Sequence, residues 1–256
     1  MDATLPKVAL VTGAALRIGR AIALDLAEAG FAVALHHHRS VAEAETLARE
    51  IEAKGGRALP IAADLGEEDA ATGLLPRVTE ALGPVGVLVN SASIFERDEA
   101  MTVTAQSWER HLAVNLRAPF VLIQALARTL PPAAEAVAIN IVDQRVWNLT
   151  PHFISYTLSK AGLWTLTQTL ALALAPQIRV NAIGPGPVLA SARQSAPQFE
   201  AQVARLPLGR GPSPGDIAAA VRFLIAQRAV TGQLIALDGG QHLDWGPAVS
   251  SPTPEE

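Results

Sequence analysis

Tyr156 and Lys160 lie four residues apart in the segment SYTLSK, within a stretch whose pattern predicts a helix. Residues four apart on a helix share one face, so the two side chains are expected to lie side by side. A neighbouring ammonium favours the phenolate and lowers the pKa of a tyrosine, so such a pair can exchange protons near neutral pH. Tyr–Lys pairs also occur by chance, and the surrounding elements must separate the two readings.

A single carboxylate, Asp143, follows the apolar run AVAINIV and stands 13 residues before Tyr156. A ketone reductase needs a neutral hydroxyl donor beside the carbonyl oxygen, because negative charge develops there. An ionised Asp143 would oppose that charge, whereas a nitrogen heterocycle can donate hydrogen bonds to it. The alternative is that Asp143 only caps a turn at the end of a strand.

The elements that carry these residues alternate between apolar strands and helices. Strands are predicted in the segments KVALVT, FAVALH, RALPIAAD, VGVLVNSAS, AVAINIVD, IRVNAIGPG and TGQLIALDGG. Continuous apolar strands separated by helices indicate a parallel sheet that is covered on both faces. The predicted fold class is α/β, with a doubly wound parallel sheet that binds ligands at the carboxyl ends of its strands.

The chain has 256 residues, half of them apolar, and no linker or composition shift divides it. A single domain is predicted over residues 1–245, followed by a flexible C-terminal tail at 246–256. The Pro-rich stretch 187–211 is long for a connection and is predicted to lie over the site as a flap.

The overall composition narrows the classes of possible binding partner. A net charge of −4 without a long basic run disfavours nucleic acid and membranes, which leaves a small-molecule substrate. The chain contains no cysteine, which excludes disulfides and thiolate metal sites. No signal peptide or membrane-spanning stretch is visible in the sequence, so a cytoplasmic location is expected.

The segment TGAALRIG joins the first predicted strand to the first predicted helix. Gly13 and Gly19 permit a tight turn and a close approach of the backbone, as a dinucleotide pyrophosphate requires at a helix N-terminus. A plain strand–helix turn is the alternative reading. The position in the first βα connection of a doubly wound sheet favours a cofactor site.

The end of the second strand distinguishes between nicotinamide cofactors. NAD enzymes usually place an acid there, whereas NADP needs cations for its 2′-phosphate. Here the strand runs into HHHRS without Asp or Glu, and Arg17 adds a guanidinium from the turn. NADP(H) is therefore predicted, with donors from His36, His38, Arg39 and Ser40. Solvated loop residues are one alternative; metal binding is disfavoured, because alternate strand residues point to opposite faces.

The chain resembles the short-chain dehydrogenase/reductase family over nearly its whole length. The matching motifs are TGAALRIG, ADL at Asp64, NSAS from Asn90, AVNL with Asn115, YTLSK, IRVNAIGPGPV and LDGG. The resemblance implies a Rossmann-like sheet of seven parallel strands, with Tyr156 as proton donor and Lys160 holding the nicotinamide ribose. It further implies that Asn115 anchors a proton-relay water, that Asp64 meets the adenine, and that the GPGPV turn meets the nicotinamide amide. Since tetramers or dimers are usual in the family, a homotetramer or homodimer is expected.

Two departures from the common family pattern indicate one branch of the family. Arg17 replaces the second glycine of the usual turn, and Asp143 replaces the usual serine before the tyrosine. In both respects the chain resembles pteridine reductases and bacterial dihydropterin or dihydrofolate reductases. Those enzymes also have a stretch similar to LHHHRS and an aromatic residue at the position of Phe95. This resemblance implies that a pterin stacks between Phe95 and the nicotinamide, with Ser93 and Arg17 contacting the pterin or the cofactor phosphates. Ordinary core packing is the alternative for Phe95.

The sequence thus predicts an NADPH-dependent reductase that transfers hydride to a C=N bond of a pterin or dihydrofolate. The predicted catalytic residues are Asn115, Asp143, Tyr156 and Lys160, and the predicted substrate-binding residues are Arg17, Ser93, Phe95, Asp143 and Tyr156. The predicted cofactor-binding residues are Gly13, Arg17, Ile18, Gly19, His36, His38, Arg39, Ser40, Asp64, Leu65, Asn90, Ser91, Ala92, Ser93, Tyr156, Lys160, Pro185, Gly186 and Val188. No metal site is predicted. The alternatives are a generic short-chain reductase of ketones, such as 3-oxoacyl thioesters, and a non-catalytic NADP(H)-binding regulatory protein.

Overall fold

All seven strands of the sheet run parallel and pair in the order β3-β2-β1-β4-β5-β6-β7. The computed structural model describes residues 4–191 and 193–243. Its strands are β1 (Val8–Val11), β2 (Ala32–His37), β3 (Arg57–Ala62), β4 (Val87–Asn90), β5 (Ala136–Ile141), β6 (Ile178–Pro185) and β7 (Leu234–Leu237). The strand order reverses between β1 and β4, and ligands bind outside the carboxyl ends of the strands at such a point. The predicted doubly wound, Rossmann-like α/β fold of about seven strands in a single domain is confirmed.

Helices cover both faces of this sheet. They are α1 (Arg17–Glu28), α2 (Val41–Ala53), α3 (Glu68–Leu82), α4 (Ala105–Leu112), α5 (Ala118–Thr129), α6 (Ile154–Ala173), α7 (Ala196–Ala204) and α8 (Pro214–Ala226). A π-helical turn (Ala113–Arg117) joins α4 to α5, and 3-10 turns occupy Gln144–Val146 and Gln241–Leu243. In the part of the chain that the structure describes, no helix has both the length and the apolar character needed to cross a membrane.

The core lies in two layers, one on each side of the sheet. In β1, Leu10 packs on the side of α3 and α5, while Ala9 and Val11 pack on the side of α1, α2 and α8. This alternation follows from the two-residue period of a strand. Because both sides are apolar, the central strands appear in the sequence as continuous apolar runs rather than as alternating ones.

Several element boundaries differ from the sequence-based expectation. β4 ends at Asn90 and β5 at Ile141, so that the following polar residues lie in loops at the sheet edge. The helix predicted from Phe153 begins at Ile154, because Phe153 has a left-handed backbone (φ 60°). The flap contains α7, and its residue 192 and the C-terminal tail at 246–256 lie outside the described residues.

Candidate active site

A cleft of about 640 Å³ lies at the carboxyl ends of the strands, with the flap along one side. The predicted residues that line it are Gly13, Arg17, Ile18, Gly19, Ser91, Ala92, Ser93, Phe95, Asp143, Tyr156, Lys160, Pro185, Gly186 and Val188. The predicted residues outside its lining are His36, His38, Arg39, Ser40, Asp64, Leu65, Asn90 and Asn115. The turn after β1, the loop after β4, the end of β5 and the first turns of α6 therefore meet in one place.

Tyr156 and Asp143 are directly bonded at the floor of the cleft. The Tyr156 hydroxyl donates to Asp143 Oδ2 at 2.8 Å, although 13 residues separate them in the chain. Tyr156 is buried in the first turn of α6, and Asp143 is half-buried just beyond the end of β5. A phenol that donates to a carboxylate in a partly dry site is held in one orientation.

The second oxygen of Asp143 acts as a cap. Asp143 Oδ1 accepts a hydrogen bond from the Arg145 amide at 2.8 Å and so begins the 3-10 turn Gln144–Val146. The capping interpretation of Asp143 is therefore correct for one oxygen. The other oxygen is left to bind Tyr156, and the cap fixes the direction in which it points.

Lys160 lies one turn further along α6 and is almost fully buried. Its Nζ donates to the Ile141 carbonyl at 2.8 Å, at the end of β5. Burial lowers the pKa of Lys160 from 10.5 to about 8, and the charge of Asp143 opposes this shift. Lys160 is therefore an ammonium at neutral pH but loses its charge far more readily than an exposed lysine.

Asn115 lies in the π-helical turn, a rare element that is frequent at functional sites. Its side-chain oxygen accepts from the Ile94 amide at 2.8 Å, and its amide donates to the Ile94 carbonyl at 2.9 Å. The same amide donates to Ser159 Oγ at 3.1 Å, and Ser93 Oγ donates to the oxygen at 3.2 Å. The Asn115 side chain thus clamps the loop after β4 to α6; its role toward a relay water stays a prediction.

Phe95 forms an aromatic wall of the cleft. Its ring stacks on Phe153 with a centroid distance of 4.4 Å and an interplanar angle of 6°. Its ring also meets the Tyr156 ring at 4.7 Å and 71°, an edge-to-face contact. Phe95 is half-buried and lines the cleft, so it packs against other aromatics and still presents surface to a ligand.

The turn after β1 closes tightly over the start of α1. Gly13 has φ 65°, and a Cβ at Gly19 would meet the Gly13 carbonyl oxygen at 2.2 Å, so only glycine fits there. Thr12, which sequence reasoning did not single out although it opens the TGAALRIG segment, accepts from the Ser91 and Ala92 amides at 2.9 and 3.0 Å. Its hydroxyl thereby joins the turn to the loop after β4.

Two arginines connect the flap to the rest of the site, one from α1 and one from the flap itself. Arg17, whose backbone is left-handed (φ 53°), donates to the carbonyls of Leu189 and Ala190 at 3.0 and 2.9 Å. Arg193 on the flap donates to the Phe95 carbonyl at 3.0 Å and pairs with the carboxylate of Glu96. In the structure the Arg17 side chain, at the start of α1, bonds to the flap; its predicted contact with a ligand stays a prediction. Arg193 was not predicted at all.

His36 does not lie where the sequence interpretation placed it. It is 2% exposed, its Nδ1 accepts from the Gly13 amide at 3.1 Å, and its Nε2 faces the Ala63 carbonyl at 3.1 Å. Burial lowers its pKa to about 4, so this histidine is neutral and offers no free donor to a phosphate. The prediction of His36 as a phosphate ligand is therefore wrong: β2 continues to His37 and both faces of the strand are covered, so that His36 and His37 are both buried.

The residues after β2 are more accessible. His38 and Arg39 are exposed and Ser40 is half-buried; His38 Nε2 lies 3.4 Å from Asp64 Oδ2, so a carboxylate stands near this cluster after all. Within the described ranges, no group of three or more His, Asp or Glu side chains is placed to hold a metal ion. Leu65 packs in the core.

Asn90, at the end of β4, has a structural partner. Its buried side-chain amide donates to Asn140 Oδ1 at 2.8 Å, across to the neighbouring strand β5. This bond ties the two strand ends that flank the cleft, and a contact of Asn90 with a cofactor stays a prediction.

The fold and this site define a family. Residues 13–242 match the sequence-family model described as enoyl-(acyl carrier protein) reductase. With this match and the relatives below, the chain belongs to the short-chain dehydrogenase/reductase family and is an oxidoreductase.

Three relatives illustrate the similarity. FolM alternative dihydrofolate reductase 1 from Brucella canis, solved with NADP, is 46% identical with a TM-score of 0.93, covering 98% of this chain and 100% of that one. The corresponding Brucella suis protein, also with NADP, is 48% identical with a TM-score of 0.91, over 96% and 98% of the two chains. The 3-oxoacyl-[acyl-carrier-protein] reductase FabG from Staphylococcus epidermidis is 34% identical over 242 residues, which are 93% of this chain and 99% of that protein.

Proposed function

We propose that this protein is an NADPH-dependent reductase that transfers hydride to a C=N bond of a dihydropterin or dihydrofolate. The observation that carries the proposal is the 2.8 Å hydrogen bond from the Tyr156 hydroxyl to Asp143 Oδ2 on the floor of the cleft. A carboxylate here lies beside the hydroxyl that would donate the proton during reduction.

Asp143 suits a pterin better than a ketone. The oxygen of a ketone gains negative charge as hydride arrives, and a carboxylate beside it raises the barrier. A pterin ring instead carries amino and ring N–H groups that donate to a carboxylate, and a ring nitrogen that takes up a proton. Phe95 supports the same substrate, because its ring offers a flat apolar surface to a planar heterocycle.

The residues present fit NADP(H). Gly19 leaves no room for a side chain beside the turn that opens α1, so backbone amides at this helix start are available to a pyrophosphate. Exposed Arg39 and His38, with Ser40, would hold the 2′-phosphate, and Lys160 would hold the ribose. When bound, NADPH supplies the hydride.

The proton chemistry is assigned to three side chains. Tyr156 donates the proton to the substrate nitrogen, and Asp143 orients the phenol and binds the N–H groups of the ring. Lys160, fixed by the Ile141 carbonyl, supplies a positive charge that stabilises the phenolate left on Tyr156. The tyrosine regains its proton from solvent through the open side of the cleft.

The relatives support the two leading substrates unequally. The proteins at 46% and 48% identity are called alternative dihydrofolate reductases and were solved with NADP, whereas the 3-oxoacyl reductase is 34% identical. Ketone reduction, for instance of a 3-oxoacyl thioester, is the second candidate because that relative aligns over almost its whole length.

Steady-state oxidation of NADPH tests the proposal directly. The purified protein is assayed with dihydrobiopterin, dihydrofolate and a 3-oxoacyl thioester under the same conditions. The proposal expects turnover of at least one of the two heterocycles, with a kcat/KM well above that for the thioester. Turnover of the thioester alone would replace pterin reduction by ketone reduction.

The predicted homotetramer or homodimer and the cytoplasmic location stay predictions. Exposed apolar side chains support an oligomer: Leu158 and Leu172 on α6 are 45% and 85% exposed, and Phe120 on α5 is 38% exposed. Sedimentation of the full chain distinguishes a monomer from a dimer or tetramer.

A further inference from the structure

A network of buried polar side chains lies behind Tyr156, outside the lining of the cleft. Its members are Asp98 in the loop after β4, His111 in α4, and Ser155, the residue before Tyr156 in α6. They are 5%, 1% and 0% exposed. Buried polar groups are costly unless they are bonded, so their arrangement needs an explanation.

Asp98 holds the start of α6. Its Oδ1 accepts from the Ser155 amide at 3.2 Å, and its Oδ2 accepts from the Ser155 hydroxyl. Its backbone carbonyl accepts from the Phe153 amide at 2.8 Å, and Ser107 Oγ in α4 donates to Oδ2 at 3.1 Å. A carboxylate from a distant loop therefore caps the helix that carries Tyr156.

His111 completes the network from the other side. Its Nε2 accepts from the Glu96 amide at 3.1 Å, so Nδ1 carries the ring proton. That Nδ1 lies 2.9 Å from the Ser107 carbonyl and 2.8 Å from Ser155 Oγ, and both can accept from it. The His111 ring is therefore hydrogen-bonded both to the loop that carries Phe95 and to α6.

The residue types resemble those of a hydrolase, but the bonding does not. In a nucleophilic triad the serine hydroxyl gives its proton to the histidine. Here the Ser155 hydroxyl donates to Asp98, His111 is turned so that Nε2 faces a backbone amide, and Ser155 is fully buried. Ser155 is therefore not placed as a nucleophile, and the network instead connects the loop after β4 to α6.

We infer that Asp98, His111 and Ser155 are positioning residues that set the relative placement of Phe95 and Tyr156. The loop after β4 brings Phe95, α6 brings Tyr156, and the 4.7 Å edge-to-face contact of the two rings lies between them. The buried hydrogen bonds of this network join those two segments next to the two rings, in addition to the Asn115 clamp between Ile94 and Ser159. The inference rests on the proposed function only for the identity of the substrate ring that binds beside Phe95 and Tyr156.

The first test removes the Ser155 hydroxyl and compares this variant with one that lacks another buried hydroxyl of the same helix. Ser155→Ala is expected to lower kcat by about tenfold or more and to raise KM for the dihydropterin several-fold, because small displacements of reacting groups are costly. The Kd for NADPH should change by less than about twofold, or about 0.4 kcal/mol. Thr167→Val removes another buried hydroxyl of α6, which lies about 18 Å further along the helix at 1.5 Å per residue and bonds the Asn140 amide and the Leu163 carbonyl.

Thr167→Val is expected to lower Tm without lowering kcat. The inference is overturned if Ser155→Ala keeps the wild-type kcat and KM, whatever its effect on Tm. It is also overturned if the variant raises the Kd for NADPH by the same factor as the KM for the dihydropterin. If the wild type reduces only ketones, the same comparison is made with the ketone. A kcat loss confined to Ser155→Ala then supports positioning of Tyr156 although pterin reduction has failed.

The second test uses two substitutions of His111. His111→Gln keeps an oxygen that can accept from the Glu96 amide, whereas His111→Leu has no acceptor. The glutamine variant is therefore expected to retain a KM for the dihydropterin several-fold lower than that of the leucine variant. Equal KM values in two variants of equal Tm would contradict a role for this hydrogen bond in placing Phe95.

Discussion

The two walls of the cleft are built in different ways. The catalytic wall, formed by the end of β5 and the first turns of α6, holds Tyr156 at 6% and Lys160 at 2% exposure with bonds to Asp143 and the Ile141 carbonyl. The flap wall, residues 187–191 and 193–211, is held across the cleft by Arg17 and by the exposed pair of Arg193 with Glu96.

The difference between the two walls suits the catalytic wall to the chemical step and the flap wall to substrate specificity. Buried hydrogen bonds have no water to replace a lost partner, so the catalytic wall keeps one geometry. The exposed ion pair of Arg193 with Glu96 contributes only about 0–1 kcal/mol, and the arginine bonds to the flap and Phe95 carbonyls are also exposed, so that water can replace them. We therefore expect the proposed proton-transferring groups to stay fixed and the flap to adjust to the substrate.

The largest effect is expected on the catalytic wall. Tyr156→Phe removes the hydroxyl that donates the proton but keeps the ring and its contact with Phe95. It should lower kcat by about 10²–10⁴-fold, the usual contribution of general acid–base catalysis, while NADPH binding stays nearly unchanged. Single-turnover kinetics and NADPH fluorescence titration measure the two quantities; a retained rate would mean that another group supplies the proton.

A somewhat smaller effect is expected outside both walls, at the predicted phosphate site. Arg39→Ala should weaken NADPH by about tenfold to a hundredfold, since hydrogen bonds to charged groups contribute about 1.5–3 kcal/mol. The Kd for NADH is the internal control and should hardly change, because NADH lacks the 2′-phosphate. Equal losses for both cofactors would remove the phosphate assignment of Arg39.

The charge of Lys160 gives the catalytic wall a pH signature. Activity should fall as pH rises through about 8, where buried Lys160 loses its proton, instead of near 10.5. Asp143 raises this pKa by its charge, so Asp143→Asn should move the falling limb to lower pH. Profiles of kcat/KM against pH for both proteins test this; a limb that does not move contradicts the coupling of Lys160 to Asp143.

The same titration predicts a trend in stability. The unfolded chain keeps Lys160 protonated up to about 10.5, whereas the folded protein releases that proton near 8. Between these two values the unfolded state binds more protons, so the contribution of Lys160 to the free energy of unfolding rises with pH. Lys160→Met should abolish that part of the trend in urea unfolding measured across the range.

The smallest effects are expected on the flap wall. Arg17→Gly removes the bonds to the Leu189 and Ala190 carbonyls and relieves a left-handed backbone, while Arg17→Ala removes the same bonds and keeps the strain. Both should raise KM for the substrate a few-fold with kcat nearly unchanged. The glycine variant should be more stable than the alanine variant by about 1 kcal/mol, as urea unfolding can measure; equal stabilities would contradict the strain at Arg17.

Local patterns predicted much of this molecule. The apolar runs and their glycine-rich ends predicted the strands, and the four-residue spacing correctly placed Tyr156 and Lys160 on one face of α6. His36 was misplaced because the sequence does not show that β2 continues to His37 with both of its faces covered. The bond of Arg17 to Leu189 joins residues 172 apart in the chain, and spacing carries no information on such a contact.

The buried network behind Tyr156 was missed for the same reason. Asp98 and Ser155 are 57 residues apart, and the sequence shows only an ordinary polar residue in a loop and another near the start of a helix. Only the fold brings the carboxylate to the first turn of α6. Asp143 was singled out as a lone carboxylate after an apolar run and then by its replacement of the usual serine, although its capping bond to the Arg145 amide would have explained it equally well.

The central claim is that Asp143 selects a nitrogen heterocycle over a ketone. It is tested most directly by the ratio of kcat/KM for dihydrobiopterin to that for a 3-oxoacyl thioester, in the wild type and in Asp143→Ser. The wild type should favour the pterin, and the serine variant, which offers a neutral hydroxyl next to Tyr156, should lower this ratio by at least about tenfold. A ratio that favours the thioester in the wild type, or that the substitution leaves unchanged, would contradict the claim.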